Sequence, residues 1–227
     1  MTGAAGTATE SATAPRPRDE WPVMRSPAGR LHAARGASFR AESGWEIPAS
    51  YGDTEAERTA LREAVAICDV TARGKVDIHG RVDEALPDGV QDGIVARISH
   101  DWALVFTAPG EPSALVRELE GAAGDAAMVT DVTHLYSGYA LAGPRLDDLV
   151  ARLTSYDHST LAPGAAAGAP IAEVRAVLVR RELEVPVVEA YVASEFGRYV
   201  WESLLEVAER LGGAPVGWDA LRAEGWS

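Results

Sequence analysis

Two carboxylates and one aromatic segment are the residues of this sequence best suited to chemistry. Asp92 closes a pair of turn signals, Pro87-Asp88-Gly89 and Gln91-Asp92-Gly93, and stands at the entrance to an apolar strand with Ile94, Val95 and Ile98. A carboxylate there can be partly desolvated, which raises its pKa toward useful proton transfer; Asp-Gly is also ordinary turn chemistry. Glu189 sits inside the apolar run 185–192. Strand alternation places Val187, Glu189 and Tyr191 on one face and Val188, Ala190 and Val192 on the other. A buried carboxylate without a partner is costly, so Glu189 either faces solvent or meets a donor, for which a heterocycle with adjacent N–H groups would serve. The segment Gly44–Gly52 contributes Trp45 and Tyr51, which either plug the core or wall a site for a flat ligand.

Other chemical signatures are missing. No Gly-rich phosphate loop follows a strand, there is no G-x-S-x-G, and no Cys/His pair has zinc spacing. The five histidines, His32, His79, His100, His134 and His158, are scattered and read as surface or internally satisfied groups, so no metal centre is expected. The single cysteine, Cys68, reads as a packing residue; it excludes an internal disulfide framework and fits a reducing, cytoplasmic setting. A net charge of −13 argues against nucleic acid and against an anionic bilayer as partners. No run of roughly 18–20 apolar residues is present to span a membrane.

The elements that must position these residues follow an α+β grammar. Residues 1–20 are Ala/Thr/Ser/Gly/Pro-rich and read as a disordered leader, with an ordered core over 21–227. A short helix is expected over Pro27–Arg35, and a fixed loop or irregular strand over Gly44–Gly52 because of its Gly and Pro positions. Thr54 and Glu57 form a capping box for the next helix. A strand over Lys75–His79 precedes a hairpin of 94–98 with 102–107, a helix over 113–120 and a strand near 128–132. A strand over 137–142, a helix from Leu146, a loose loop over 163–170 and strands over 173–180 and 186–192 come next. A closing helix, 195–211, is expected to bury Phe196, Tyr199, Val200, Leu204, Val207 and Leu211.

The tripeptide Asp69-Val70-Thr71 recurs as Asp131-Val132-Thr133, each followed by a short polar link, an alternating strand and a Gly, Gly80 or Gly143. This suggests a pseudo-duplicated pair of ferredoxin-like units, with halves near 68–132 and 130–211.

Leu31-His32-Ala33-Ala34-Arg35-Gly36-Ala37, Gly44-Trp45-Glu46-Ile47-Pro48 with Tyr51-Gly52, and Asp69-Val70-Thr71 leading to Gly74-Lys75-Val76 and Gly80 resemble the opening of the glycine cleavage system T-protein family. Asp131-Val132-Thr133, Ala140-Leu141-Ala142-Gly143-Pro144 and Glu189-Ala190-Tyr191-Val192 resemble its second half. The resemblance implies a folate-binding core without the C-terminal barrel, and tetrahydrofolate as cofactor. It also implies a one-carbon transferase acting on a small-molecule donor. Asp92 would assist proton transfer, Glu189 would grip the pterin, and Tyr51, Trp45 and Ile94 would line the cofactor site. The family's Gly-Tyr-Thr-Gly-Glu turn is replaced by Arg181-Glu182-Leu183-Glu184-Val185, Ala96 stands where an aromatic is common, and the link between Gly80 and Asp92 is short. The short core without the tail domain also resembles the gamma subunit of heterotetrameric sarcosine oxidase. That likeness implies the alternative, a non-catalytic folate-binding or structural subunit working with a larger partner.

Overall fold

The computed structural model describes residues 24–86, 90, 93–110 and 112–226. The leader and Asp92 lie outside the described residues. The first stretch holds β1 (Met24–Arg25), α1 (Gly29–Ala34), β2 (Ser38–Glu42), β3 (Trp45–Ser50) and α2 (Thr54–Glu63). β4 (Ala66–Asp69), β5 (Gly74–Gly80), α3 (Val82–Ala85), β6 (Ile94–Ser99), β7 (Trp102–Thr107), α4 (Pro112–Ala123) and β8 (Ala127–Asp131) follow. The remainder is β9 (Tyr136–Ala142), α5 (Leu146–Val150), β10 (Ala166–Ile171), β11 (Val174–Glu182), β12 (Pro186–Ala193), α6 (Gly197–Arg210), β13 (Ala214–Pro215) and α7 (Trp218–Ala223).

These strands build three sheets. A six-stranded sheet runs β10-β11-β12-β9-β4-β13, a four-stranded sheet β6-β7-β5-β8, and a small one β1-β3-β2. Val188, Ala190 and Val192 of β12 pack with Tyr139, Leu141 and Ile67 beneath Trp201, Leu204 and Leu205 of α6. The opposite face of the six-stranded sheet meets the four-stranded one through Tyr191, Val177 and Val179 against Leu104 and Phe106. On the far side of the four-stranded sheet, Val76, Ile78 and Val105 pack with Leu115 and Leu119 of α4. Period-two alternation in the strands thus supplies two apolar faces from one sheet, and the alternation predicted for β12 is the one observed.

Four local expectations need correction. Gly44–Gly52 contains a regular six-residue strand, β3. Pro48 is tolerated because β1 reaches only Trp45 and Glu46, leaving Pro48 with a single neighbouring strand, beside a register irregularity at Ser38/Phe39. The cap of α2 is Asp53, whose Oδ1 accepts from the amides of Glu55 and Ala56 at 3.1 and 3.0 Å, so Thr54 is already helical. Glu57 instead ties the loop before the helix, accepting from Ser50 Oγ and the Tyr51 amide at 2.6 and 2.7 Å. The loose loop over 163–170 contains β10, paired along its whole length with β11; its Ala, Gly and Pro content hides a strand whose order comes from the backbone ladder. On α6 the buried stripe is Val200, Trp201, Leu204, Leu205 and Ala208, while Phe196 and Tyr199 are 45% and 51% exposed. Trp201 is the larger anchor, and its burial turns the helix away from the Phe196/Tyr199 side.

The two Asp-Val-Thr stretches fold as the same turn. Asp69 Oδ1 accepts from the Thr71 amide, and Asp131 Oδ1 from the Thr133 amide, both at 2.9 Å. Each turn is then completed by the strand that follows the other. The Val70 amide donates to Gly138 O, and the Gly138 amide donates to Thr71 Oγ1 at 3.1 Å. In mirror fashion the Val132 amide donates to Lys75 O, and the Lys75 amide donates to Thr133 Oγ1 at 3.0 Å. The Lys75 side chain closes the clasp: its Nζ donates to the carbonyls of Thr71, Arg73 and Thr133 at 2.7, 2.9 and 3.3 Å.

Candidate functional site

Glu189 faces the interior from the middle of β12, between β11 and β9, and is fully buried. Four donors of the chain converge on its carboxylate. Oε1 accepts from Arg181 Nη1 at 2.6 Å, Trp226 Nε1 at 2.7 Å and Arg73 Nη1 at 3.3 Å, while Oε2 accepts from the Tyr191 hydroxyl at 2.6 Å. Each carboxylate oxygen offers two lone pairs, so the three donors crowd Oε1 while Oε2 keeps one position beyond its bond from Tyr191. Burial alone would raise the Glu189 pKa. The charges of Arg73 and Arg181 and the bonds from Tyr191 and Trp226 outweigh it and hold the carboxyl below its usual range.

The surrounding shell is aromatic and cationic. Tyr191 stacks on Phe106, with centroids 4.0 Å apart, and a Cβ at Gly138 would lie 2.6 Å from its ring, so only glycine fits there. The Arg73 guanidinium lies over the Trp226 ring at 5.0 Å, and Trp218 and Trp226 form a T-shaped pair with centroids 4.9 Å apart. Lys75 Nζ is 5.9 Å from the Tyr191 ring, and burial first of all pulls its pKa down to about 7. The stretch 181–185, where the resembled family has its Gly-rich turn, therefore supplies Arg181 to Glu189.

A second buried network lies on the first Asp-Val-Thr turn. Asp69 Oδ2 bonds His32 Nε2 at 2.7 Å and accepts from Ser26 Oγ, and His32 Nδ1 meets the Tyr51 hydroxyl at 2.8 Å. Serine here serves the aspartate and not the histidine, so the set lacks the nucleophile–base contact of a hydrolase. Burial would raise the Asp69 pKa, but the bonds from His32, Ser26 and Thr71 bring it below the usual range. Burial pushes the Tyr51 hydroxyl and the Cys68 thiol up, so neither is an anion at neutral pH.

The structure thus brings Glu189 to the centre and sets the other described candidates, Tyr51, Trp45 and Ile94, apart from it. Tyr51 points its hydroxyl at His32. Trp45 is buried in the small-sheet core and stacks on His134 at 5.6 Å. Ile94 is half-buried at the start of β6, packed beside the core between the sheets. Sequence reasoning passed over Arg73, Lys75, Arg181, Trp226, and the His32–Asp69 pair. Arg73 and Lys75 flank Gly74 at a strand entrance, which was a usable signal; Trp226, 37 residues from Glu189, offered none. Among the described residues no group of three or more His, Cys, Asp or Glu converges to hold a metal ion, and no helix is long and apolar enough to cross a membrane.

A mixed α+β core with a buried carboxylate, held by four donors, on its central strand is the class that fold and site define. The GCVT N-terminal domain matches residues 86–225, more than half of the chain, and the chain belongs to that family. It is 29% identical to an aminomethyltransferase of Saccharopolyspora erythraea, over 88% of this chain and 63% of that protein. It is 30% identical to a probable aminomethyltransferase of Halobacterium salinarum, over 57% of this chain and 44% of that protein. The chain therefore spans less than two thirds of these relatives. Among solved structures, the glycine cleavage system aminomethyltransferase T from Bartonella henselae aligns with a TM-score of 0.74 at 21% identity, covering 89% of this chain and 62% of that one. A chain of the heterotetrameric sarcosine oxidase from Corynebacterium sp. U-96 aligns with a TM-score of 0.63 at 20% identity, covering 84% and 97%. At those identities the likeness is one of fold.

Proposed function

We propose that this chain is a non-catalytic core subunit of a larger assembly that oxidises or demethylates a small amine, built from two related halves of T-protein type and working in the cytoplasm. One observation carries the reading: the carboxylate expected to grip tetrahydrofolate is fully buried and already holds four donors of its own chain. As arranged, Glu189 has no open face for a pterin and its charge is already met by Arg73 and Arg181, and the residues present do not fit that cofactor. No catalytic step is therefore derived through it. The sarcosine oxidase chain, which is covered over 97% of its length, supports the reading as a case where this fold belongs to a multi-subunit enzyme.

The second reading is a tetrahydrofolate-dependent one-carbon transferase, with Asp92 assisting proton transfer from a small-molecule donor. The family match over 86–225, which includes Asp92 and Glu189, favours it. Thermal denaturation with tetrahydrofolate separates the two. The subunit reading expects no shift, together with co-purification in a stoichiometric complex with a larger flavin-containing or methyl-transferring subunit. Stabilisation approaching about 2.7 kcal/mol at a hundredfold excess over Kd, with turnover by the lone chain, overturns it in favour of the transferase.

A further inference from the structure

Trp226 does more than fill space. Its indole is almost fully buried, its N–H is aimed at Glu189 Oε1 at 2.7 Å, one face lies against the Arg73 guanidinium and Trp218 meets it in a T-shaped pair. Those are the contacts of a planar heterocyclic ligand: an acceptor for the ring N–H, a cation on the face and a T-shaped aromatic neighbour. A second observation points to the same place. Arg73 Nε is buried and, among the described residues, has no acceptor, so the cage holds a donor that an indole cannot answer.

We propose that Trp226 is an internal ligand, occupying a site for a planar fused-ring N–H heterocycle formed by Glu189, Arg73 and Trp218, and that vacating it re-creates that site. The inference rests on the reading above in taking Glu189 as engaged by the chain itself. It adds that the engagement is by a removable ring. Shortening Trp226 to alanine leaves an aromatic-lined void in which Glu189 Oε1 has lost one of its three donors, a setting in which a free ring of the same shape can bind.

The test is chemical rescue of Trp226→Ala in the full chain. Indole is expected to raise the melting temperature of this variant in a saturable way. 1-Methylindole, which has the same ring without the donor, should bind about tenfold or more weakly, the ratio a hydrogen bond to a charged acceptor implies. Wild-type protein should respond to neither. Equal rescue by both probes, or by neither in a folded variant, overturns the proposal. If Trp226→Ala does not fold, Trp226→Phe decides: it keeps a ring and loses the N–H, so a melting temperature equal to wild type overturns the proposal and a lowered one supports it. A shift of the wild-type protein by tetrahydrofolate sinks the subunit reading alone, whereas the outcome with indole bears on Trp226 alone.

Discussion

The two Asp-Val-Thr turns share a sequence, a local hydrogen bond of 2.9 Å and a reciprocal backbone clasp, yet their aspartates live in different worlds. Asp69 is buried with His32 and Ser26 on its second oxygen, and its main-chain carbonyl accepts from Trp218 Nε1 at 2.6 Å. Asp131 is exposed and ends an outer strand of the four-stranded sheet. The same tripeptide serves as a network hub in one place and as a plain turn in the other. What differs is the chain laid over it: α1 and the segment before it cover the first turn. Identical local chemistry fixes backbone geometry, while burial decides how much energy rides on it.

Substitutions can break that comparison, beginning with the largest effect. Asp69→Ala strips acceptors from His32, Ser26 and the Thr71 amide in a dry site, and a loss of about 3–5 kcal/mol is expected in urea denaturation. A loss under about 1 kcal/mol would mean that the two turns are energetically alike after all.

Lys75→Met comes next, because it touches both turns at once. Burial works against the ammonium, but three carbonyls depend on it, and leaving them without that donor is expected to cost about 2–3 kcal/mol. The same residue has a pH signature. With its folded pKa pulled down to about 7 from 10.5, the unfolded chain holds more protons between those values, so stability rises with pH across that window. The methionine variant should lose the rise; an unchanged curve would rule out Lys75 as its source.

Acid titration sharpens the contrast further. Asp69 is held below its ordinary pKa, so its contribution is complete above about pH 4 and is lost as pH falls through the folded value. Removing Asp69 should flatten that part of the stability curve, and removing Asp131 should leave the Asp69 contribution in place. The smallest effect expected is that of Asp131→Ala itself, about 0.5–1 kcal/mol for one exposed turn bond. A value near that of Asp69→Ala would show that the shared turn, and not its covering, carries the energy.

Much of the frame was legible because it rests on local periodicity. The alternation of β12, the hairpin of β6 and β7, α4 and the repeated tripeptide are all short-range signals. β10 was not legible, since Ala166 to Ile171 has little intrinsic strand preference and is ordered by its neighbour. The cap at Asp53 was displaced by one residue because Asp and Thr both suit that position, and only the fold shows which amides turn toward which side chain. Glu189 was singled out as a carboxylate in need of a donor. Strand alternation puts Tyr191 on its face, but the other donors come from β11, from the link before β5 and from beyond α7, and no spacing rule joins those. Arg181 is the instructive case: it stood in the stretch marked as a departure from the family, yet its contact with Glu189 exists only through the β11–β12 register.

The reciprocal clasp also sets an order of events during folding. Thr71 meets Gly138 across 67 residues, and the Lys75 amide meets Thr133 across 58, so each turn stays unfinished until the other half of the chain has been made. A chain emerging from the ribosome leaves the Lys75 amide without its partner until Thr133 is made, and the Thr71 hydroxyl without the Gly138 amide until β9 arrives. Such long-range closure is slow relative to hairpin formation and gains its reward all at once. The core should therefore assemble as one cooperative unit and not as two successive halves. The two fragments, cut between β8 and β9 and mixed, should acquire structure only together.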